Sequence, residues 1–550
     1  MNKTFYICKY TPVELLTACS GECEVFDTVH GSFEKAESAA HPNICGFGKS
    51  LLESALNGEI KELVLVNCCD TIKSVYEILE QSGKLDFLYM TDILKSADGC
   101  SIERTSYELK KLLKAYTEYK GTHFDVEKFK NAFSYEKPKN EDFIAVLGAR
   151  ASGALVENIK NTMPVGVRDM TCVNNRNIPA PPEEETDVDA LLQWYAGELL
   201  GQLPCMRMHD STGRKALFNS PNIKGVIYHT IKFCDFYTVE YNEIKDKLSV
   251  PVLKTETDYS SQSNGQIMTR LEAFKECFTV KPNAQKPENH TDSEQYYMGI
   301  DSGSTSTDVV ILDRNKNIVS SSVVPTGAGA SSGAQKAVDE ALKKAGLEKD
   351  MITSTVATGY GREYVKAGGK SITEITCHAK GAHFLNENIS TVIDIGGQDS
   401  KVITLAPDGN VLNFVMNDKC AAGTGRFLEF MARTLEMNVD EMSETGIKYG
   451  EDLTISSMCT VFAESEVVSL ISQNKNVNDI VHGLNKAVAS KTVSLVNRAG
   501  GKAPFMMTGG VSKNKGLVKE LEEKLGEKIT VCDEAQICGA LGAALFAAEG

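Results

Sequence analysis

The stretch "YYMGIDSGSTSTDVVILD" (Tyr296–Asp313) decides the fold of the C-terminal half of this sequence. A short apolar run ends at Asp301, a turn rich in Gly, Ser and Thr follows, and a second apolar run comes after it. Such a turn offers backbone N–H groups and hydroxyls to an anion. The stretch therefore predicts a strand–turn–strand unit that holds a phosphate group. The expected phosphate-binding residues of the turn are Gly303, Ser304 and Thr305.

The same plan recurs further along the chain in "STVIDIGGQDSKVITLAPDG" (Ser390–Gly409). An apolar run ends at Asp394, the chain turns at Gly396 and Gly397, and another apolar run follows. Two units of this kind predict a duplicated α/β domain that encloses a nucleotide. The Walker pattern G-x-x-x-x-G-K-[ST] is absent from the sequence, so a P-loop is not expected.

A third glycine turn, Gly509–Gly510, stands in "FMMTGGVSKNKGLVKELEEKL" and enters a helical pattern. It suits contact with a nucleotide at a helix N-terminus. Together the three motifs resemble the phosphate-1, phosphate-2 and adenosine motifs of the actin and sugar-kinase ATPase superfamily. That resemblance implies Mg-ATP in a cleft between two ribonuclease-H-like lobes. It also implies that Asp301 approaches Mg2+ or its waters, and that Gln398 or Asp394 orients the attacking water.

Cysteines stand in two further stretches of this half, Cys420 in "NDKCAAGTGRFLE" and Cys459 in "SSMCTVFAESEVVSL". A sugar kinase needs no thiol there, and a thiolate is favoured near the positive end of a helix. The two stretches resemble the ATP-dependent activators of 2-hydroxyacyl-CoA dehydratases and the related benzoyl-CoA reductase ATPases. The resemblance implies a [4Fe-4S] cluster bridging a homodimer, because a cluster usually takes four thiolates and each chain supplies two. The alternative is a pair of buried thiols.

Composition narrows the class of protein. The chain has 550 residues, 42% of them hydrophobic, and a formal net charge of −16, which argues against a nucleic-acid partner. No apolar run reaches the ~18 residues that span a membrane, and the N-terminus lacks the features of a signal peptide. We therefore expect a cytoplasmic protein without a membrane partner. Its 16 cysteines are not expected to form disulfides there, so metal ligation is the first role to test.

The stretch "TVKPNAQKPENHTDSEQ" is polar and contains two prolines, which is typical of a linker. In the first half, apolar runs alternate with helical patterns, which favours parallel sheets. The expected fold class is α/β: a pair of Rossmann-like units with an iron–sulfur site between them, then an actin-like ATPase of two ribonuclease-H-like lobes. The expected segments are 1–140 and 141–278 for the two α/β units, 279–295 for the linker and 296–550 for the ATPase.

The cysteines of the first half stand beside polar turns, at the ends of expected strands or the starts of expected helices. Strand C-terminal ends are where open α/β sheets bind ligands. None of these cysteines has the C-x2-C spacing of a zinc site, and Cys8, Cys100 and Cys277 are interpreted as core fillers. The alternative is a scatter of core thiols. The candidate ligands are Cys45, Cys68, Cys69, Cys172, Cys205 and Cys234.

These segments resemble the 2-hydroxyglutaryl-CoA dehydratase component family over most of residues 1–278. The resemblance implies either one [4Fe-4S] cluster held by three cysteines, or an [8Fe-9S] double-cubane cluster held by six. Six candidates favour the double cubane. Dehydratases of the family usually have two different cluster subunits and this chain supplies one, which favours reduction of a small molecule over an acyl-CoA substrate. The sequence leaves open whether Cys68 or Cys69 is the ligand, with Cys19 or Cys23 as a replacement.

Polar side chains near the candidate ligands are possible proton donors to a bound substrate. His209 and His229 are the candidates, with Tyr228 and Lys232 beside them. The alternative is that each is a hydrogen-bonded structural residue.

The whole pattern predicts an ATPase that passes low-potential electrons to an N-terminal iron–sulfur domain on the same chain. The expected electron donor is reduced ferredoxin or flavodoxin. Three other functions stay open: a 2-hydroxyacyl-CoA dehydratase with its activator fused, a non-catalytic iron–sulfur carrier, and a sugar-kinase-like phosphotransferase.

Overall fold

The chain divides into two compact units, Met1–Leu271 and Glu272–Gly550, in this computed structural model. Residues 280–294, which make up most of the expected linker, lie outside the residues that the structure describes. The described residues are 3–41, 43–135, 140–174, 176–210, 212–218, 220–245, 247–260, 264–279, 295–327, 329–365, 369–417, 420–456 and 459–550.

The N-terminal unit contains two groups of parallel strands. The runs "ELVLV" and "FIAVLG" are buried at every position, as expected for parallel strands covered on both faces. The strands of the first group are β1 (Thr4–Tyr6), β2 (Cys23–Val25), β3 (Glu62–Val66) and β4 (Phe87–Thr91). Those of the second group are β5 (Phe143–Gly148), β6 (Gly166–Asp169), β7 (Ile223–Ile231) and β8 (Val252–Thr257).

The two groups share one topology. The first is ordered β2-β1-β3-β4 and the second β6-β5-β7-β8, and the strand pairs in both are parallel. Strand order reverses next to the first strand of each group, which is the point where open α/β sheets bind ligands. The expectation of two Rossmann-like units is thereby confirmed.

Helices connect these strands and pack on their faces, and a cysteine stands immediately before several of them. The helices of the N-terminal unit are α1 (Val13–Ala18), α2 (Glu34–Ala39), α3 (Gly46–Asn57), α4 (Asp70–Ser82), α5 (Gly99–Lys120), α6 (Val126–Asn131), α7 (Gly153–Thr162), α8 (Val188–Gly201), α9 (Thr212–Phe218) and α10 (Asp235–Ile244). Helix α11 (Asn264–Thr279) contains the boundary between the units.

The C-terminal unit is built from two lobes with the same strand order. In each lobe the first three strands are antiparallel, and the fourth and fifth then join in parallel. The first lobe contains β9 (Tyr296–Ser302), β10 (Ser306–Asp313), β11 (Ile318–Pro325), β12 (Ile352–Thr358) and β13 (Lys370–Ser371), in the order β11-β10-β9-β12-β13. The second contains β14 (Thr391–Ile395), β15 (Ser400–Leu405), β16 (Val411–Asn417), β17 (Phe505–Thr508) and β18 (Ile529–Thr530), in the order β18-β17-β14-β15-β16.

This repeated order is the duplication that the two phosphate motifs predicted, since β9 and β14 end at equivalent turns. Helix α19 packs on the first sheet and on α13. The helices of this unit are α12 (Ala330–Ala345), α13 (Glu374–Leu385), α14 (Gly425–Thr434), α15 (Val439–Thr445), α16 (Thr460–Ser472), α17 (Val477–Ala499), α18 (Lys515–Leu525) and α19 (Cys538–Glu549).

The last turns of α11 are fastened to the first lobe of this unit. Glu272 forms an ion pair with Arg362 at 2.5 Å. Glu276 accepts hydrogen bonds from the backbone N–H of Thr373, at 2.9 Å, and from its hydroxyl, so it caps the N-terminus of α13. Across the described part of the chain, the structure contains no helix that is both long and apolar enough to cross a membrane.

Candidate functional sites

Seven cysteines of the N-terminal unit line one cavity, whose empty space is about 840 Å3. Six of them are the predicted ligands, and the seventh is Cys8, which the sequence suggested to be a core filler. The cavity therefore brings together side chains from both parallel sheets. The lining thiols belong to Cys8, Cys45, Cys68, Cys69, Cys172, Cys205 and Cys234.

The ends of the strands explain this convergence. Cys8 follows β1 and the pair Cys68–Cys69 follows β3, so they flank the point where the order of the first sheet reverses. Cys172 and Cys234 follow β6 and β7 of the second sheet. Because the carboxyl ends of parallel strands meet at one edge, turns distant in sequence deliver thiols to the same place.

Arg207 is a cation of the cavity wall that has no carboxylate partner among the described residues. Arg207 lines the cavity, stacks over the ring of Phe236 at 4.8 Å, and its buried Nε has no hydrogen-bond partner in that part of the chain. The buried hydroxyl of Tyr237, which also lines the cavity, is likewise unpartnered there. By contrast, Arg150 donates from Nε to the hydroxyl of Tyr259 at 3.0 Å. Arg207 is half-buried, and a buried donor atom without a partner favours an anionic occupant, because leaving it unpaired costs free energy.

Burial and the charge of Arg207 both shift the pKa values of the thiols. Burial raises the pKa of Cys8 and of Cys234 to about 12, and Arg207 opposes that rise at both. A hydrogen bond between Cys68 and Cys69 raises the pKa of Cys68 and lowers that of Cys69, and Arg207 favours both thiolates. Metal ligation replaces such thiol protons, so buried thiols can serve as ligands despite a raised pKa.

The thiols of this cavity are of the kind that hold an iron–sulfur cluster. Within the described ranges, no group of three or more His, Cys, Asp or Glu residues is arranged to hold one metal ion. A cubane cluster is larger than an ion and takes thiolates alone from around it. Cysteine thiols around a cavity that also holds an unpaired guanidinium match an anionic cluster.

The other side chains predicted for this site lie away from the cavity wall. His229 is completely buried beside β8, where Nδ1 lies 3.1 Å from Thr255 Oγ1, and burial lowers its pKa to about 4. His209 is exposed. Neither histidine lines the cavity, and neither do the replacement ligands Cys19 and Cys23.

A second pocket, with an empty space of about 1270 Å3, lies in the C-terminal unit. It is lined by all three glycine turns and by Asp301 and Asp394, whereas Gln398 is exposed and does not line it. Gly509 has φ +83°, which glycine adopts without strain. The predicted nucleotide-binding residues on its wall are Gly303, Ser304, Thr305, Gly396, Gly397, Gly509 and Gly510.

Charged side chains form a network at the base of this pocket. His378 lies between the two predicted catalytic carboxylates, with Nε2 3.7 Å from Asp301 Oδ2 and Nδ1 3.5 Å from Asp394 Oδ1. Lys401 Nζ lies 2.9 Å from Asp399, 3.1 Å from Asp394 and 3.4 Å from Glu374. The lysine thus compensates a cluster of buried carboxylates.

Burial and neighbours separate the two predicted catalytic carboxylates. Burial, with the charge of Asp308, raises the pKa of Asp301 to about 7. Although burial alone would raise it, His378 and Lys401 hold the pKa of Asp394 below its usual range. A divalent cation favours the ionised form of Asp301, so this carboxyl suits the expected Mg2+ contact.

Cys420 and Cys459 are both exposed on the C-terminal unit. Cys459 is the N-cap residue of α16, whereas Cys420 lies in the turn before α14, whose N-cap is Thr424. Cys420 was expected at a helix N-terminus, but residues 421–423 separate it from the N-cap of α14. One of these residues, Gly423, has φ +86°.

The helix that follows the turn of Cys420 is hydrogen-bonded to the second phosphate loop. The backbone N–H of Gly425 donates to the carbonyl of Gly396 at 2.9 Å, and that of Arg426 donates to Gly397 at 2.8 Å. The first turn of α14 is therefore hydrogen-bonded to the loop that faces the pocket.

Sequence reasoning missed several lining side chains. His378 stands inside α13 and Arg207 in an irregular segment, and neither belongs to a recognisable motif. Glu374 and Lys401 gave no signal either, since a buried lysine among carboxylates is a property of the folded pocket. For Cys8, its place just after β1 was an available signal.

Two lobes of this topology around three glycine turns define an ATPase of the actin and sugar-kinase class. More narrowly, the chain belongs to the BadF/BadG/BcrA/BcrD ATPase family, whose model matches residues 298–547. The family model of 2-hydroxyglutaryl-CoA dehydratase, D-component, matches residues 8–155 and 144–278. The resemblances read from the motifs are thereby confirmed for both halves.

Named relatives match the C-terminal half. The activator of lactoyl-CoA dehydratase of Anaerotignum propionicum is 50% identical over 254 residues, 46% of this chain and 98% of that protein. The (R)-2-hydroxyglutaryl-CoA dehydratase activating ATPase of Acidaminococcus fermentans is 48% identical over 253 residues, 46% of this chain and 96% of that protein. The crystal structure of component A of the A. fermentans dehydratase is 47% identical, covers 46% of this chain and 98% of that one, and has a TM-score of 0.45.

Proposed function

We propose that this chain is an ATP-driven iron–sulfur reductase of the cytoplasm, with an electron-donating ATPase and an electron-accepting cluster domain fused in one polypeptide. The observation that carries the proposal is the convergence of seven cysteines on one cavity, in a chain whose other half belongs to an ATPase family. Reduced ferredoxin or flavodoxin is the proposed source of electrons, and a small molecule is the proposed substrate.

Mg-ATP binds in the pocket of the C-terminal unit. Backbone N–H groups of the glycine turns hold its phosphates, and Asp301 approaches Mg2+ or its waters. Asp394 orients the attacking water, because Lys401 and His378 keep it ionised. We keep Gln398 as a second candidate for that role, one that would have to turn from its exposed position into the pocket.

The effect of ATP hydrolysis is transmitted to Cys420 through backbone hydrogen bonds. Gly425 and Arg426 bond the start of α14 to the second phosphate loop, so a change in that loop shifts the turn that carries Cys420. We propose that this is how the state of the nucleotide alters the surroundings of the exposed thiol.

Cys420 and Cys459 hold half of a [4Fe-4S] cluster, and a second copy of the chain supplies the other half. Both cysteines are exposed, and next to Cys459 the side chains of Val461 and Phe462 are 65% and 67% exposed. Apolar exposure on this scale beside a thiol suits a surface that a second copy covers.

In the N-terminal unit the cavity cysteines hold the accepting cluster, which we propose to be an [8Fe-9S] double cubane rather than a second [4Fe-4S] cluster. When bound, the clusters supply one-electron transfer at low potential. The chain holds the thiolates at fixed strand ends and excludes water with the apolar side chains around them. We also keep His209 and His229 as candidate proton donors, although both would act from outside the cavity wall.

Anaerobic purification followed by iron and sulfide determination tests this proposal. About twelve irons per two chains would indicate a bridging cubane and one cubane per N-terminal unit, and about twenty would support double cubanes, at four irons per cubane. Electron paramagnetic resonance with and without ATP then tests whether the nucleotide changes the bridging cluster. Absence of iron, or a spectrum and electron-transfer rate indifferent to ATP, would refute the proposal.

A matched pair of variants locates the accepting cluster. Cys45→Ser removes a thiol from the cavity wall, whereas Cys100→Ser removes an exposed thiol outside it. Only Cys45→Ser is expected to lower the iron content. An equal loss in both variants would argue against the cavity as the site.

The match to the 2-hydroxyglutaryl-CoA dehydratase D-component favours a second candidate, a 2-hydroxyacyl-CoA dehydratase with its activator fused. This activity would convert a 2-hydroxyacyl-CoA to the enoyl-CoA and water after one ATP-driven electron transfer. Incubation of reduced protein with Mg-ATP and (R)-2-hydroxyglutaryl-CoA or lactoyl-CoA distinguishes the two candidates. Formation of enoyl-CoA supports the dehydratase, and its absence from iron-replete protein supports reduction of another small molecule.

A further inference from the structure

Arg207 has a charge that nothing around it neutralises in the described part of the chain. It lines the cysteine cavity, forms no ion pair with a described carboxylate, and its buried Nε lacks a hydrogen-bond acceptor there. Its observed contact is the ring of Phe236 at 4.8 Å. A guanidinium offers five donors and stays charged in proteins, so this side chain is prepared for an acceptor that the protein itself does not supply.

The charge of Arg207 reaches most of the cavity wall. Arg207 shares that wall with Cys68, Cys69, Cys172 and Cys234. The cation therefore faces thiols that belong to both parallel sheets.

Two other cations near the cavity are already engaged. Arg150 bonds to the carbonyls of Ile7 and Phe26 and to the hydroxyl of Tyr259. Lys9 Nζ donates to the carbonyl of Leu203. Those hydrogen bonds tie both side chains to the protein framework. Arg207 differs from them in that its buried Nε has no hydrogen-bond acceptor among the described residues.

We infer that Arg207 is the counter-charge of the cluster in the cysteine cavity and raises the reduction potential of that cluster. This inference rests on the proposed function, since it takes the cavity to hold an iron–sulfur cluster. Several thiolates and sulfides make the occupant anionic, and reduction adds a further negative charge. A fixed positive charge beside it stabilises the reduced form more than the oxidised form, and net charge is one determinant of cluster potential.

The inference assigns Arg207 a positioning role on the accepting side of electron transfer. A higher potential in the cavity makes transfer from the low-potential ATPase cluster more favourable, without any change in the donor. The hydroxyl of Tyr237 is buried on the same wall, has no partner among the described residues, and is placed to donate a hydrogen bond that acts in the same direction.

The test uses the full chain with Cys420→Ser and Cys459→Ser, so that the remaining iron reports on the cavity. In this background Arg207→Gln removes the charge, Arg207→Lys keeps it, and Arg104→Gln removes an exposed charge on α5 as the matched control. Iron and sulfide are counted, and the midpoint potential is measured by titration followed by electron paramagnetic resonance. Arg207→Gln should lower the equilibrium constant for reduction at least tenfold, a fall of about 59 mV for one electron. Arg207→Lys and Arg104→Gln should stay close to the background protein.

Each result decides something. If Arg207→Gln loses iron while Arg207→Lys retains it, the charge is needed to hold the anionic cluster, which also supports the inference. An unchanged potential in iron-replete Arg207→Gln overturns it, and so does equal loss of iron in both Arg207 variants, which would indicate a structural role. A background protein without iron overturns the proposed cavity cluster itself, and that failure is seen before any Arg207 variant is compared.

Discussion

Cys69 and Cys234 occupy equivalent places in the two halves of the N-terminal unit. β3 ends at Val66 and β7 at Ile231, and each cysteine is the third residue after its strand. Each is also the N-cap residue of the following helix, α4 or α10. Cys68 has no such counterpart in the second half. We therefore propose Cys69 rather than Cys68 as the ligand.

Exchange of each thiol for a hydroxyl tests this assignment. We expect Cys69→Ser to lose cavity iron, because a ligand thiolate is removed. Cys68→Ser should retain it, since a hydroxyl can still donate to the neighbouring sulfur. Iron and sulfide counts on anaerobically purified protein measure the difference, and retention in Cys69→Ser with loss in Cys68→Ser would reverse the assignment.

Replacement of Lys401 is expected to lower the free energy of unfolding. The lysine is buried among Glu374, Asp394 and Asp399. Lys401→Met leaves these carboxylates uncompensated, and removing one partner of a buried ion pair costs about 3–5 kcal/mol. We expect a fall of that size in the free energy of unfolding, measured by urea denaturation, together with loss of ATP hydrolysis.

Lys519→Met is the control for Lys401→Met. Lys519 is exposed and pairs with Glu523 one helical turn away, with 3.8 Å between the charged atoms. Such helix pairs contribute about 0.2–0.5 kcal/mol, so little change is expected. Similar losses of unfolding free energy in both lysine variants would show that the buried ion pairs of Lys401 stabilise the protein no more than an exposed pair does.

Among the elements, the two phosphate turns are close enough to constrain each other. A Cβ on Gly397 would overlap Oγ1 of Thr305, which belongs to the turn of the other lobe. The absence of a side chain at this position therefore sets how closely the turns approach within the C-terminal unit.

Gly397→Ala is expected to weaken ATP binding by roughly tenfold or more, or about 1.4 kcal/mol, because it separates the two turns. Gly450→Ala is the matched control, since its Cβ would meet only Asp479 Oδ1 at 3.9 Å. Isothermal titration calorimetry with a non-hydrolysable ATP analogue measures both variants. Unchanged affinity in Gly397→Ala would show that the turns can move apart without loss.

Much at the level of elements could be predicted from sequence. "ELVLV", "FIAVLG" and "TVIDI" announce strands because continuous apolar runs bounded by turn residues fit buried sheet positions. The start of α14 could not be placed from sequence, because the turn after Cys420 is fixed by hydrogen bonds to the second phosphate loop. Local pattern determines an element, whereas its exact end depends on distant partners.

For the whole molecule, the boundary within α11 matters to stability. The unit that begins at Glu272 includes Glu272 and Glu276, which bind Arg362 and Thr373. A fragment of residues 296–550 lacks both glutamates, although it contains both lobes. Compared with residues 272–550, it should be less stable by about 1.5–3 kcal/mol, the contribution of hydrogen bonds to a charged group.

Urea unfolding of the two fragments measures that difference. The variant Glu276→Gln in the longer fragment removes the charge of Glu276 but keeps the rest of α11. It should therefore show only part of the stability loss that is expected for residues 296–550. Equal midpoints for residues 272–550 and 296–550 would mean that the end of α11 adds nothing to the C-terminal unit.

The sequence could not show that residues far apart in the chain meet at one site. The cysteines were identified one by one from their turns, but their meeting in one cavity follows from two parallel sheets whose strand ends face it. Arg207 and His378 escaped notice for the same reason, since each gains its meaning from neighbours that are remote in sequence. The interpretation of Cys8 as a filler was wrong, because its side chain lies on the cavity wall.

The repeated strand order of the N-terminal unit has a consequence for descent. If both halves derive from one ancestral gene, that ancestor had a strand order in which its third strand ended before a helix-capping residue, now Cys69 in one copy and Cys234 in the other. Two identical ancestral chains, paired about a two-fold axis, would have presented this cysteine from both sides of a shared cleft. Duplication and fusion of such a gene would then let each half change separately, which would account for thiols that differ between the two halves.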